Sequence, residues 1–153
     1  MRTVSEAAKL RMNGWDRWVM VRVPINGSRP VRVLVVEDDP SIRAVLLEFL
    51  ALEGYEVHEA VNPEIARTML LNQPVDLVLT DTYEATWNPS LPWLGSMRDA
   101  AGKAKLVLLT AYSEAQALVP ADHGLADVWT KPMDMEVMLA RLQELLKDRS
   151  AGQ

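Results

Sequence analysis

Continuous apolar runs alternate with stretches of helical spacing along most of this chain. Four such runs cover residues 31–36, 75–80, 105–109 and, more weakly, 128–130. Apolar runs of this length, without strict alternation, are typical of parallel strands that are buried on both faces. Residues 55–60 alternate between apolar and polar side chains, which indicates a strand at the edge of a sheet.

The segments between and after these runs predict five helices. Asp39 and Asn62 stand where N-caps belong, and each precedes a proline that suits the first helical turn. Further helices are expected before Ala101, over 113–119 and, with the clearest amphipathic spacing, over 135–146. Strands and helices therefore alternate, which predicts an α/β fold with a parallel sheet and right-handed crossovers that place helices on both of its faces.

The first thirty residues differ from the rest of the chain in charge. Residues 1–30 contain six basic and two acidic residues, a net charge of +4, whereas residues 31–153 carry a net charge of −9. Two interpretations of 1–30 stay open: an amphipathic helix that docks on another surface, or a poorly ordered basic extension. The Asn13-Gly14 pair and the later prolines and glycines favour the extension. A main domain over 31–148 and a short tail over 149–153 complete the expected organisation.

Composition excludes several classes of protein. The chain has no cysteine, so disulfides, thiolate metal sites and cysteine nucleophiles are absent. No apolar stretch reaches the roughly 20 residues that a membrane-spanning helix needs. We therefore expect a cytoplasmic protein without membrane contacts. Because the body is acidic, we also expect no direct DNA binding.

Polar residues stand at the ends of the predicted central strands. The acidic pair Glu37-Asp38 follows the first, Asp81 the next, Thr110-Ala111 another, and Lys131-Pro132 the last. The carboxyl ends of parallel strands meet at one edge of a sheet, where ligands bind. Carboxylates suit Mg²⁺, a lysine offers a point charge to phosphate, and a carboxylate can act as a nucleophile. The arrangement predicts phosphoryl transfer to a carboxylate.

Four motifs in register carry a resemblance to a known family. They are Val33-Leu34-Val35-Val36-Glu37-Asp38-Asp39-Pro40, Pro74-Val75-Asp76-Leu77-Val78-Leu79-Thr80-Asp81, Leu108-Leu109-Thr110-Ala111 and Trp129-Thr130-Lys131-Pro132. Over residues 31–147 the chain resembles the response-regulator receiver domain of two-component signalling. The resemblance implies a doubly wound, flavodoxin-like sheet of five parallel strands in the order 2-1-3-4-5.

The same resemblance assigns a role to each residue of the site. Asp81 is the expected phosphoacceptor, which receives its phosphoryl group from a histidine kinase or a histidine phosphotransfer protein. Asp38, Asp81 and the backbone carbonyl of Tyr83 are the implied Mg²⁺ ligands, with Glu37 acting through a metal-bound water. The implied contacts to the phosphoryl oxygens come from Thr110, the amide of Ala111, and Lys131.

The implied activity is that of a signalling protein rather than an enzyme, although the chain would assist its own phosphoryl transfer and dephosphorylation. Its output would be phosphorylation-dependent binding to a downstream protein. The chain is expected to act as a stand-alone receiver, either a monomer or a weak dimer.

The chain differs from the family pattern at three places. Glu84-Ala85 replaces a Met-Pro pair, Val128 stands where a switch aromatic is usual, and the segment of the fourth helix is short and contains Pro120. These differences keep open a degenerate receiver that binds partners regardless of phosphorylation. An aspartate-nucleophile phosphatase is disfavoured because Tyr83 stands where its second aspartate belongs. A dinucleotide-binding domain is disfavoured because no glycine-rich turn follows the first strand.

Overall fold

The computed structural model describes residues 3–12, 15–24 and 29–151. The strands are β1 (Thr3–Met12), β2 (Trp15–Pro24), β3 (Arg32–Val36), β4 (Glu56–Ala60), β5 (Leu77–Thr80), β6 (Lys105–Thr110) and β7 (Asp127–Thr130). The α-helices are α1 (Pro40–Leu52), α2 (Pro63–Asn72), α3 (Leu94–Ala101) and α4 (Met135–Ala151). Two 3-10 helices, Ser113–Ala117 and Pro120–His123, lie between β6 and β7.

Five parallel strands form the central sheet, in the order β4-β3-β5-β6-β7. Counted from β3 this is the order 2-1-3-4-5, so the predicted flavodoxin-like fold is confirmed. Because successive side chains point to opposite faces, Val33 and Val35 pack on one face of the sheet while Leu34 and Val36 pack on the other. Helices α1 and α4 cover the first face, and α2 and α3 cover the second.

The segment after β6 is less helical than the apolar spacing predicted. In place of one helix over 113–119, the chain forms the 3-10 helix Ser113–Ala117, becomes extended at Leu118 and Val119, and then forms a second 3-10 turn from Pro120. Proline has no N–H and disfavours the helical region for the residue before it, which accounts for the interruption at Val119.

The basic leader forms a two-stranded antiparallel sheet. Strands β1 and β2 pair along their whole lengths, from Thr3 opposite Pro24 to Met12 opposite Trp15, and they pack against α1. Residues 3–12 and 15–24 thus adopt neither the amphipathic helix nor the loose extension that the sequence suggested. At the other end of the chain α4 continues to Ala151, so the described part of the expected tail is helical. None of the helices described is both long and apolar enough to span a membrane.

Candidate phosphoacceptor site

Glu37, Asp81 and Lys131 each come directly after a strand, and a backbone hydrogen bond to the neighbouring strand holds each of them in place. The amide of Glu37 donates to the carbonyl of Ala60, and the amide of Asp81 donates to that of Val36, both at 3.0 Å. The amide of Lys131 donates to the carbonyl of Thr110 at 2.8 Å. These bonds continue the parallel ladders, so residues from separate strands converge at the carboxyl edge of the sheet.

Lys131 lies between two carboxylates. Its Nζ is 3.1 Å from Oε2 of Glu37 and 3.1 Å from Oδ2 of Asp81. Burial alone would lower the pKa of Lys131, but the hydrogen bonds and charges of Asp81 and Glu37 outweigh it, so the pKa is raised. The lysine therefore remains an ammonium ion.

Glu37 is buried, with 2% of its surface exposed, and is the most buried acidic side chain among those that the structure describes. Burial, followed by the negative charge of Asp81, raises its pKa, although the hydrogen bond from Lys131 acts in the opposite direction. Two further hydrogen bonds hold Glu37 in place. The Asp39 amide donates to its Oε1 at 3.2 Å, and the Arg43 side chain donates to its backbone carbonyl at 2.7 Å. The raised pKa of Glu37 therefore reflects its burial first and the neighbouring Asp81 carboxylate second.

Three carboxylates surround one position. Glu37, Asp38 and Asp81 each offer an oxygen atom, and these atoms all lie within 4.8 Å of one another. Asp39 does not join them, because its Oδ1 accepts hydrogen bonds from the amides of Ser41 at 2.8 Å and Ile42 at 3.1 Å. Asp39 is therefore the N-cap of α1, as its position before Pro40 predicted.

The two oxygens of Asp81 have different hydrogen-bond donors. Oδ1 accepts from the amide of Thr82 at 2.7 Å, whereas Oδ2 faces Lys131. With its two oxygens held in this way, the carboxylate has a defined orientation at the edge of the sheet. A fixed orientation favours in-line attack by one of its oxygens.

Thr82 is a residue of the site that the sequence did not reveal. Its hydroxyl donates to Oγ1 of Thr110 at 2.5 Å, and the amide of Tyr112 donates to the same oxygen at 3.1 Å. Thr110 is fully buried at this point, and Ala111 follows it at the surface. Because Oγ1 already accepts two hydrogen bonds, the Thr110 hydroxyl keeps its own proton for a further acceptor.

Tyr83 and Tyr112 connect the loops around Asp81 to the rest of the domain. The Tyr83 hydroxyl donates to the carbonyl of Val61 at 3.3 Å, and its ring packs edge-on against Trp93 with 5.7 Å between centroids. Burial, and then the charge of the nearby carboxylates, raises the pKa of Tyr83, so its phenol stays protonated. The Tyr112 hydroxyl donates to the carbonyl of Glu84 at 3.0 Å.

The position of the expected switch aromatic has a different packing. Val128 packs on the face covered by α2 and α3, whereas Trp129 is buried on the opposite face against α1 and α4. The indole N–H of Trp129 donates to Asp127 at 2.7 Å. Trp129 is thus a core residue and does not replace the missing aromatic at 128.

Comparisons with known proteins identify the family. The sequence model of the response regulator receiver domain matches residues 33–143. The response regulator MprA of Mycobacterium sp. strain KMS is 31% identical over 122 residues, which cover 79% of this chain and 53% of that protein. The TorCAD operon transcriptional regulatory protein TorR of Escherichia coli O157:H7 is 30% identical over 118 residues, 76% of this chain and 50% of that protein. The chain thus spans about half the length of these curated relatives.

Solved structures give the same result. The response regulator TrrA of Thermotoga maritima, solved in complex with Mg(2+)-BeF, has a TM-score of 0.63 and 31% identity, over 76% of this chain and 99% of that chain. A CheY-like receiver domain protein from Methanospirillum hungatei has a TM-score of 0.68 at 21% identity, over 82% of this chain and all of that one. The chain belongs to the response regulator receiver domain family of two-component signalling.

Proposed function

We propose that the protein is phosphorylated on Asp81 with the help of Mg²⁺ and then binds a downstream protein. The observation that carries this proposal is the setting of the Asp81 carboxylate. It is held by the Thr82 amide on one oxygen and by Lys131 on the other, beside the carboxylates of Glu37 and Asp38. This setting provides a nucleophile, a cation for phosphoryl oxygens and a place for a metal ion.

The residues present fit a magnesium ion. Three carboxylates and one ammonium leave two negative charges in the cluster, which one divalent cation balances. Asp38 and Asp81 would bind the ion directly together with the Tyr83 carbonyl, and Glu37 would act through a bound water. When bound, Mg²⁺ supplies charge neutralisation for the phosphoryl oxygens. The relative TrrA, at 31% identity, was solved with Mg(2+)-BeF.

The transfer needs little acid–base chemistry from this chain. A carboxylate oxygen of Asp81 attacks the phosphorus of a phosphohistidine, a P–O bond forms, and the P–N bond breaks with its electron pair returning to the imidazole of the donor. Lys131 would neutralise charge on the moving phosphoryl group, and the Thr110 hydroxyl would donate a hydrogen bond to one of its oxygens. The same groups would assist hydrolysis of the acyl phosphate, in which water attacks the phosphorus, the bond to Asp81 breaks, and the carboxylate and inorganic phosphate are released.

An apolar groove beside Lys131 supports docking of a protein phosphodonor. The groove has a volume of about 420 Å³ and lies between α1 and the start of α4, where Pro132 and Met135 form part of its lining. Ile42 and Val45 of α1 line it and are exposed to solvent. An exposed apolar surface next to the phosphoacceptor suits a histidine kinase or histidine phosphotransfer protein, which must bring its phosphohistidine to this edge.

The loop after β5 is the best candidate for transmitting the signal. Among the described residues, the carboxylate oxygens of Glu84 and the indole nitrogen of Trp93 are buried without a hydrogen-bond partner. Buried polar groups without partners cost free energy, so a rearrangement that satisfies them is favoured. This loop begins at Asp81, and Tyr112 ties it to the segment after β6. The response would therefore concentrate in residues 82–95 and 111–124 rather than at Val128.

Hydrogen exchange tests this route. Addition of beryllofluoride, which mimics the phosphoryl group, should increase protection in residues 82–95 and 111–124. The first segment directly follows Asp81, and the second begins at Ala111, whose amide is a proposed contact to the phosphoryl oxygens. The measurement is peptide-level exchange by mass spectrometry with and without beryllofluoride and Mg²⁺. Increased protection limited to β7 and α4 would contradict the proposed route.

Asp38 and Asp39 should respond differently to substitution, although they are neighbours. Asp38→Asn removes a proposed metal ligand and should weaken Mg²⁺ binding at least about tenfold, a typical loss when a site's charge complement is disturbed. Asp39→Asn keeps an equally good N-cap and should leave the affinity unchanged. Titration of each variant with MgCl₂, followed by the shift in thermal unfolding temperature, measures both. Equal Mg²⁺ affinities of the two variants would show that Asp38 is not distinguished from Asp39 as a metal ligand, and would contradict the proposed set of ligands.

A second candidate function is partner binding without phosphorylation. The valine at position 128 favours this function, because the aromatic side chain that usually changes position on phosphorylation is missing from this strand. Under that alternative, a downstream partner would bind the unmodified and beryllofluoride-treated proteins equally well. The complete set of Glu37, Asp38, Asp81, Thr110 and Lys131 favours the phosphorylation-dependent function.

A further inference from the structure

Thr82 contacts both Asp81 and Thr110, the two residues that the proposed transfer brings to the phosphoryl group. Its backbone amide donates to Asp81 Oδ1 at 2.7 Å, and its side-chain hydroxyl donates to Thr110 Oγ1. Asp81 directly follows β5 and Thr110 ends β6, and these two strands are neighbours in the sheet. Thr82 therefore links the nucleophilic carboxylate to the hydroxyl at the end of the next strand, although it lies outside the four sequence motifs.

The bond from Thr82 restricts the direction in which the Thr110 hydroxyl can donate its own proton. A threonine hydroxyl has one proton and two acceptor lone pairs. At Thr110 one lone pair receives the Thr82 hydroxyl, and the other receives the Tyr112 amide at 3.1 Å. The O–H bond of Thr110 is left with the one remaining direction around the oxygen. Because Thr110 is fully buried, bulk water does not compete for these bonds.

Several restraints hold the Thr82 hydroxyl in place. Threonine is β-branched, so its χ1 angle is restricted, and Thr82 is half-buried. The bond from its amide to Asp81 Oδ1 fixes the backbone at the same position. The loop that follows is tied to the segment after β6, since the Tyr112 hydroxyl donates to the Glu84 carbonyl at 3.0 Å. The orientation of the Thr110 hydroxyl is thus set before a phosphoryl group arrives.

We propose that Thr82 is a positioning residue, which speeds phosphoryl transfer to Asp81 by holding the Thr110 hydroxyl in the orientation that donates to a phosphoryl oxygen. This inference rests on the proposed function of the site. A donor that is oriented in advance does not have to reorganise as charge develops on the phosphoryl group. Donation from Thr82 to Thr110 also polarises the Thr110 hydroxyl and strengthens its own donation. Thr82 exchanges no proton with the phosphodonor and acts only through Thr110.

Thr82→Val removes the hydroxyl and keeps the shape and the β-branch of the side chain. With acetyl phosphate and Mg²⁺, its phosphorylation rate should fall about tenfold, the upper range for loss of one neutral hydrogen bond. Thr82→Ser keeps the hydroxyl and should stay within about threefold of the native rate, since it loses only the restraint on χ1. Thr68→Val is the matched control. It removes a hydroxyl that donates to the Glu64 carbonyl in α2, and it should leave the rate unchanged.

Two readouts separate positioning from a merely structural role. Thr110→Val should itself slow phosphorylation, and the double variant Thr82→Val, Thr110→Val should be no slower than Thr110→Val alone, because Thr82 then has no hydroxyl to orient. Hydrolysis of the acyl phosphate should also slow in Thr82→Val, because the same Thr110 donor assists it. A loop that had only loosened would admit water, and the acyl phosphate would be lost faster than in the native protein.

Intact-mass spectrometry over time on the full chain measures formation and loss of the phosphoryl group in every variant, and thermal unfolding checks that each is folded. Thr82→Ala removes the same donor with a smaller side chain and should repeat the loss seen in Thr82→Val. An unlabelled native protein would overturn the proposed function, and this inference with it. With the native protein labelled, the positioning role alone is overturned by a native rate in either variant without the hydroxyl, by equal losses in Thr82→Ser and Thr82→Val, or by losses that multiply in the double variant.

Discussion

Asp81→Asn is expected to abolish phosphorylation of this protein by a small-molecule phosphodonor. The amide nitrogen and oxygen of asparagine occupy the same space, but the side chain is neutral and lacks the nucleophilic carboxylate. The amide of Thr82 can still donate to the remaining oxygen, so the fold of the loop should persist. Intact-mass spectrometry after incubation with acetyl phosphate and Mg²⁺ should find one added phosphoryl group in the native protein and none in the variant.

Asp39→Asn is the matched control for this experiment. It makes the same chemical change three residues from β3, at a side chain that caps α1 instead of facing the cluster. It should be phosphorylated at the native rate. If Asp81→Asn were labelled to the same extent as the control, Asp81 would not be the phosphoacceptor.

Lys131→Met should have two opposite effects. The variant lacks the positive charge that lies 3.1 Å from Asp81 Oδ2. The rate of phosphorylation should therefore fall about 10²-fold or more, which is the usual loss when one electrostatic contact to a transition state is removed. At the same time Glu37 and Asp81 lose the cation that separates them, so Mg²⁺ should bind more tightly. Phosphorylation kinetics and Mg²⁺-dependent thermal shifts measure the two effects on one sample.

The paired outcome separates a local effect from misfolding. A variant that lost its fold would lose phosphorylation and Mg²⁺ binding together. Lys103→Met removes an exposed lysine in the turn that follows α3 and should change neither quantity. A native phosphorylation rate in Lys131→Met would contradict the role assigned to the ammonium ion.

The central sheet could be predicted because its signal is long and redundant. Val33 to Val36 and Leu77 to Thr80 are fully or almost fully buried on both faces, which produces the continuous apolar runs in the sequence. Prolines at 40 and 63 and the caps Asp39 and Asn62 mark the start of α1 and α2 in the same places as the structure. The hydrophobic pattern, the helix caps and the rules of strand topology all predict the same fold.

The sequence suggested a helix or a loose segment for the leader, because some of its apolar residues repeat at helical spacing and others alternate as in a strand. Val4, Ala8 and Met12 repeat at helical spacing, while Val19, Val21 and Val23 alternate as in a strand. Asn13-Gly14 was interpreted as an interruption of a helix. The same pair is the strongest two-residue signal for a hairpin turn, and it stands between the two strands that the structure describes.

The site could be predicted only as far as its strand ends. Glu37, Asp81, Thr110 and Lys131 each follow a recognisable run, so topology alone brings them together. Thr82 follows no run of its own, and its bond to Thr110 depends on how two separate loops meet. The packing of Tyr83 on Trp93 depends in the same way on tertiary structure, which a single sequence does not reveal.

The central claim is Mg²⁺-dependent phosphorylation of one residue, and one measurement tests it most directly. The native protein is incubated with acetyl phosphate in the presence and absence of Mg²⁺, its intact mass is recorded, and the modified residue is located by peptide sequencing in the mass spectrometer. We predict one phosphoryl group, on Asp81, formed only when Mg²⁺ is present. No added group, a group on another residue, or equal labelling without Mg²⁺ would contradict the account.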